Sequence, residues 1–299
     1  MTASDFRCAL ASSSTDESIA GTASTVRAFL LVEAPGAWGV DAVAGARIPD
    51  EVRAFLVDLA RLHQVRVLMI RDHARRSSGP VRVFAAFVGT DRPWVETTTL
   101  SDVRELVDLP LRGLAAGTSP GLTPHTDPLF LVCTHGKHDA CCAELGRPLC
   151  GALHEVAPEQ TWEVSHIGGD RFAPNVLVLP DGLYYGRLRP EDAASFVEEH
   201  RAGRLDLPHL RGRCSFSFRV QAAELFLRDH TEDSSPAPPV LLRHERDGET
   251  TRVVFRLGGS RWRVVLRTLP TPSRQLTCRA VVDSVAPQHE LIGIELLHG

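Results

Sequence analysis

Leu129-Phe-Leu-Val-Cys133 runs into Thr134-His-Gly-Lys-His-Asp-Ala-Cys-Cys142. The same segment returns as Trp162-Glu-Val-Ser-His166-Ile-Gly-Gly-Asp170-Arg-Phe-Ala-Pro-Asn175 and closes as Leu179-Pro-Asp-Gly-Leu-Tyr-Tyr-Gly-Arg187. Four of the seven cysteines and four of the thirteen histidines lie between positions 133 and 166, the densest group of soft ligands in the chain. The apolar run 128–133 reads as a short strand, and 142–156 as a helix that Pro148 bends or interrupts. A second strand is expected at 161–165, and a hairpin at 176–179 and 183–185 around Pro180-Asp-Gly182. Cys133 then ends a strand. Cys142 opens a helix, where unpaired amides and the helix dipole favour a thiolate. His166 follows the next strand. Gly168 and Gly169, having no Cβ, are expected to let the backbone pass close to a bulky inorganic group. Thiolates suit zinc and iron–sulfur clusters, and imidazole suits zinc, copper and iron. Spacing alone leaves zinc and a cluster both open, although the paired C-x-x-C of common zinc sites is absent.

Outward from this stretch, residues 1–22 are rich in Ser, Thr and Ala and read as a flexible arm holding Cys8 as an exposed thiol. Strands are predicted at 25–33, 66–70 and 81–88. A helix is predicted at 49–63, where Pro and acids fill the first turn and Val52, Phe55, Leu56, Leu59 and Leu62 share a face. A shorter helix is expected at 101–107 with Ser101 as its cap. This alternation suggests a small α/β or α+β layer. Residues 115–127 read as a linker. Beyond the centre, 190–200 reads as a helix, with Pro and acids at its start and Gly203 after its end, and 215–228 as another. Four strands at 240–245, 251–257, 262–269 and 276–282 form a β-rich appendage.

Length and composition bound the rest. A chain of 299 residues can bury a substantial core and make two domains. A net charge of −4 leaves no basic footprint, so nucleic acid is not an expected partner. Lys137 is the only lysine, a bias of composition rather than of function. Apolar runs fall well short of the roughly 20 residues of a membrane helix. No basic-then-apolar leader opens the sequence. A cytoplasmic protein without membrane contact is expected. In that compartment clustered cysteines serve metals or catalysis rather than disulfides.

The residues quoted above resemble the sucrase/ferredoxin-like family, whose members are related to the thioredoxin-like 2Fe–2S ferredoxins. Tyr185-Gly-Arg-Leu-Arg-Pro-Glu-Asp-Ala193, leading into a helix that ends Glu198-Glu-His200, is similar to the C-terminal part of those ferredoxins. A weaker likeness reaches Gly21-Thr-Ala23 and Val32-Glu-Ala-Pro-Gly-Ala-Trp-Gly39, so that it covers most of 8–230. The resemblance implies an α/β (α+β) fold of two tandem thioredoxin-like domains, the second ferredoxin-like, followed by the β-rich appendage. The corresponding segments are an arm at 1–22, a degenerate thioredoxin-like domain at 23–120, a ferredoxin-like domain with the cluster site at 121–210, and a C-terminal helix and β-rich region at 211–299. It further implies a 2Fe–2S cluster held by a C-x8-C pair and an H-x3-H pair. Cys133 and Cys142 match the first pair and His166 opens the second. Asp170 stands where the second histidine would be, so a carboxylate becomes the expected fourth ligand. Cys141, Cys150, Cys214 and Cys278 are the alternatives. Gly168, Gly169 and His135 are expected around the cluster, His135 as a hydrogen-bonding neighbour.

The function so implied is electron transfer, with a reductase or acceptor protein as redox partner. An electron carrier is expected in preference to an enzyme. Two readings compete with it: a thiol redox protein using Cys141 or Cys142, and a binding or scaffold module that has lost its metal. No placed carboxylate pair marks a glycosidase, and neither a Rossmann fingerprint nor a P-loop is present.

Overall fold

The computed structural model describes residues 5–74 and 79–298. An N-terminal helix α1 (Cys8–Ser14) precedes β1 (Ala28–Glu33), α2 (Asp50–His63), β2 (Arg66–Asp72), β3 (Val81–Phe87) and β4 (Trp94–Leu100). After the two-residue β5 (Thr123–Pro124) the pattern repeats. It runs β6 (Leu129–Cys133), α3 (Ala140–Val156), β7 (Thr161–Val164), β8 (Asn175–Leu179), β9 (Leu183–Gly186) and α4 (Ala193–Arg201). Then follow β10 (Leu210–Arg213), α5 (Phe218–Thr231), and four strands, β11 (Val240–Asp247), β12 (Thr250–Leu257), β13 (Ser260–Pro270) and β14 (Pro287–Leu297).

In each repeat two parallel strands flank a helix and two antiparallel strands follow. β1 pairs parallel with β2 and antiparallel with β3, which pairs with β4. β6 pairs parallel with β7 and antiparallel with β8, which pairs with β9. This is the thioredoxin-like arrangement, present twice. The units meet edge to edge where β2 pairs antiparallel with β7, Ile70 opposite Val164, and together they make one sheet of ten strands.

The helices and the curl of this sheet explain the uninterrupted apolar runs. Even residues of β1 (Ala28, Leu30, Val32) pack under α2, whereas Phe29 and Leu31 face a second core shared by both units. β6 divides likewise: Phe130 and Val132 lie under α3 and α4, and Leu129, Leu131 and Cys133 face the shared core. Both faces are covered, so alternation of polar and apolar residues is lost. The shared core closes because the sheet curls. A Cβ on Gly182, in the β8–β9 turn, would lie 2.6 Å from Cys214 Sγ and 3.0 Å from Val88 Cβ. The four-stranded sheet is separate. It covers α5 with Val253, Phe255, Val264 and Leu266 packed on Val220, Ala223 and Leu227.

Several expectations are corrected. Residues 5–22, expected to be a flexible arm, contain α1, and Cys8 is only 2% exposed; residues 1–4 lie outside the described residues. Its apolar and thiol side chains pack on Cys141 and Ala173, contacts too remote in sequence to read locally. β4 was not foreseen, its Thr-rich run being half polar. The helix expected at 101–107 is a 3-10 turn, Val103–Asp108, capped by Asp102 rather than Ser101. No strand forms at 276–282. Val281 and Val282 are 97% and 72% exposed, with no face to bury, and the fourth strand is β14. The intervening 271–286 is an irregular excursion.

Gly182 has φ of +65° as well as its crowded Cβ position. Gly182→Val should therefore destabilise the fold by about 2 kcal/mol or more through strain and overpacking, measurable as a lowered denaturation midpoint. A wild-type midpoint would show that the sheet does not close there.

Candidate metal centre

The site forms where β6 and β7 end, at the carboxyl edge of the second unit, the usual place for a ligand in sheets of this kind. Cys133 is the last residue of β6 and is fully buried. Asp139 then caps α3, its Oδ1 accepting the Cys141 N–H at 2.9 Å, which leaves Cys142 in the first turn and facing back towards β6. α3 can pack this close only because of Gly146, whose Cβ would fall 2.1 Å from the Cys133 carbonyl oxygen. Pro148 lies inside α3 without ending it.

His166 follows β7. Its N–H donates to His135 Nδ1 at 3.2 Å, and its carbonyl accepts from Arg66 at 3.0 Å. The chain then turns through Gly168 and Gly169, with φ of +100° and +81°, and delivers Asp170 at the start of a 3-10 turn. His166 Nδ1 lies 3.0 Å from Asp170 Oδ1, an ion-pair distance, though without the alignment of a hydrogen bond. Cys142 Sγ donates to Asp170 Oδ1 at 3.3 Å. The donor atoms of Cys133, Cys142 and His166 lie within 4.8 Å of one another, as do those of His138, His166 and Asp170. Two thiols, an imidazole and a carboxylate thus converge, and His166 Nδ1 is buried with no aligned partner among the described residues. This donor set fits a thiophilic metal.

The four side chains balance one another's charge. The proton shared by the two thiols resides on Cys142, whose thiol is raised by the bond to Cys133 and by burial. Cys133 is held well below the ordinary thiol range by Cys142 and His166, against burial. Burial pushes His166 down, but Asp170 and Cys133 outweigh it and raise the imidazole to about 9. Burial likewise pushes the Asp170 carboxyl up, and His166 brings it net below its usual range.

His135 is not among the converging donors. Its Nε2–H donates to the Gly39 carbonyl at 2.6 Å and its Nδ1 accepts from His166, so both nitrogens are occupied and burial keeps the ring neutral. It positions His166, as a hydrogen-bonding neighbour. Gly39 belongs to the first unit, and Trp38 beside it sets its ring edge against His135 at 5.7 Å. His138, in the loop before α3, stacks on His166 with ring centroids 3.7 Å apart. The two rings line a cleft of about 390 Å³ with Asp41, Val43, Arg66 and Ser165. Gly168 and Gly169 differ from expectation. The space they leave is taken by Ser24 Oγ and by the Arg211 guanidinium, 2.4 Å and 2.2 Å from the Cβ positions. Arg211, fully buried, donates to the carbonyls of Gly168 and Thr22, to Thr22 Oγ1 and to Asn175 Oδ1, and Asn175 in turn donates to the Gly169 carbonyl. Neither Arg211 nor Gly146 carries a local signal that would have marked it.

A family model described as Sucrase/ferredoxin-like matches residues 19–212. Altered inheritance of mitochondria protein 32 of Meyerozyma guilliermondii is 32% identical over 83 residues, 24% of this chain and 29% of that protein. The protein of the same name from Debaryomyces hansenii is 25% identical over 130 residues, 40% of this chain and 44% of that one. The chain thus spans less than half the length of these curated relatives. Among solved structures, a cysteine-to-serine variant of the thioredoxin-like 2Fe–2S ferredoxin from Aquifex aeolicus is 24% identical, covering 28% of this chain and 97% of its own, with a TM-score of 0.25.

Two outcomes follow for the metal-free protein. Removing Arg211 strands several buried acceptors, so Arg211→Met should cost about 3 kcal/mol or more in chemical denaturation. A folded-state pKa of about 9 for His166 against roughly 6.5 unfolded means that its contribution is complete below pH 6.5 and fades as pH rises through 9. The His166 ring signals in NMR should titrate near 9, and Asp170→Asn should bring the midpoint down. An unchanged midpoint in the variant would disprove the pairing.

Proposed function

Because the chain belongs to the sucrase/ferredoxin-like family, we propose that it is an electron-transfer protein carrying a 2Fe–2S cluster. Cys133, Cys142 and His166 hold it, with Asp170 as the fourth ligand. The observation that carries this reading is the convergence of two buried thiols, one imidazole and one carboxylate at the ends of β6 and β7. When bound, such a cluster takes up and releases one electron.

The protein's own residues set the terms of that exchange. The thiolates are the buried side of the site, whereas the His166 side chain is 19% exposed and its stacked neighbour His138 37%. The imidazole edge along the cleft is therefore the face a redox partner meets. His135 fixes the backbone of His166 through its Nδ1, and Gly39 fixes His135. Imidazole in place of thiolate raises the potential of such centres, as in Rieske proteins. A carboxylate at Asp170 restores a negative charge and favours the oxidised state, so the potential lies below that of a centre with two histidines. On this reading it acts in the cytoplasm beside a reductase or acceptor protein; no helix among the described residues is long and apolar enough to cross a membrane.

Anaerobically purified protein should show broad visible absorption with about two irons and two sulfides per chain, both lost in Cys133→Ser. Asp170→His should keep the colour and shift the midpoint potential upward in a redox titration. A colourless, iron-free protein after attempted reconstitution would refute the cluster. A potential unmoved by Asp170→His would refute ligation by Asp170.

A further inference from the structure

A second group of soft donors lies on the opposite side of the α3 start and takes no part in the site just described. Cys8 comes from α1, Cys141 from the first turn of α3, and Cys278 from the 271–286 excursion. Cys141 Sγ and Cys278 Sγ are 3.4 Å apart, and Cys278 Sγ and Cys8 Sγ 3.6 Å. Asp139 completes the group: its Oδ1 and Oδ2 lie 3.7 Å and 3.8 Å from Cys8 Sγ. All four donor atoms fall within 4.8 Å of one another. Cys8, Asp139 and Cys141 are at most 2% exposed, and the seven cysteines of the chain are all free thiols.

From this geometry we propose a second, structural metal site that binds one zinc ion through Cys8, Cys141 and Cys278, with Asp139 as the oxygen donor. Zinc–thiolate bonds of about 2.3 Å in a tetrahedron place sulfurs roughly 3.8 Å apart. The observed spacings are shorter by only a few tenths of an ångström, so an ion seats with small outward movements. The same spacings suit one ion rather than a cluster with bridging sulfides, which spreads its thiolates more widely. Asp139 is held for the role. Its Oδ1 accepts the Cys141 N–H at 2.9 Å and its Oδ2 the Cys278 N–H at 2.7 Å, and each oxygen keeps a lone pair. Such hydrogen bonds to a ligating carboxylate orient it, as in other metal sites. Soft thiolates from segments 133 and 137 residues apart in sequence (Cys8 to Cys141, and Cys141 to Cys278) make a crosslink that no local interaction replaces. The ion would join α1 and the excursion to the residue next to Cys142, and α1 in turn packs on the turn that carries Asp170.

The test measures zinc and iron together in the full chain, expressed with zinc and purified without chelator. About one zinc per chain is expected, retained in Cys133→Ser, which removes a thiol from the other site only. It should fall at least tenfold in Cys8→Ser and Cys278→Ser, with circular dichroism confirming that these variants fold. Cys278→His, which keeps a donor, should recover part of it. Co(II) in place of zinc should give the intense visible bands of a tetrahedral thiolate site, lost in Cys278→Ser. Zinc that follows Cys133 rather than Cys278 would overturn the proposal. So would a zinc-free protein in which Cys141 and Cys278 join in a disulfide, two thiols being lost per chain. Because iron and zinc are read separately, failure here leaves the electron-transfer reading untouched, and the converse also holds.

Discussion

The antiparallel pairing of β2 with β7 is the constraint on which the remaining architecture rests. It is short, three residue pairs from Ile70 to Asp72 against Val164 to Trp162. Yet it fuses two similar units into one sheet and fixes their relative register. Through it the β1–α2 loop of the first unit reaches the second, so that Gly39 accepts from His135 and Trp38 covers it. Arg71, on β2, crosses the seam to Glu163 on β7 and stacks over Trp38. Glu163 also accepts from Thr134, the residue after Cys133. The first unit is thus the support of the one in which the two thiols, the imidazole and the carboxylate converge.

Burial decides the electrostatics at the centre. Isolated charges at this depth would neutralise by changing their protonation. Here Cys133, His166 and Asp170 keep theirs because of the partners they face, and Cys142 keeps its proton because its bond to Cys133, burial and the neighbouring Asp170 disfavour a second thiolate. A metal ion bound here would replace His166 as the positive partner and release the imidazolium proton and the Cys142 proton.

Much of this was legible in the sequence because it is local. Cys133 and Cys142 bracket one strand–helix junction, and His166 and Asp170 one turn, so strand ends and spacing place them. Strands buried on both faces were recognisable as continuous apolar runs. What escaped depends on distant contacts. Gly146 matters only because α3 lies on the carbonyl of Cys133. His138 reads as a surface residue until His166 is seen beneath it. Gly168 and Gly169 were expected to make room for an inorganic group, whereas the space at their Cβ positions is taken by Ser24 and by Arg211, 42 residues beyond Gly169. Val281 and Val282 mimic a strand by composition, whereas pairing with β13 goes to β14, and nothing in the pattern of 276–282 foretells that.

The N-terminal segment leans on partners made late in synthesis. Gly21 and Thr22 donate to the Arg211 carbonyl, Ala23 exchanges hydrogen bonds with Gln221, and Val26 donates to Cys214. More than two-thirds of these 299 residues therefore precede the completion of the backbone partners of residues 21–26, although Ser24 already finds the Ile167 carbonyl. The Arg211 clamp on the Gly168–Asp170 turn is equally late. The four central donors emerge earlier, but their geometry is held by residues still inside the exit tunnel. The geometry of the four donors is therefore complete only once synthesis has passed Arg211 and its guanidinium has clamped the turn.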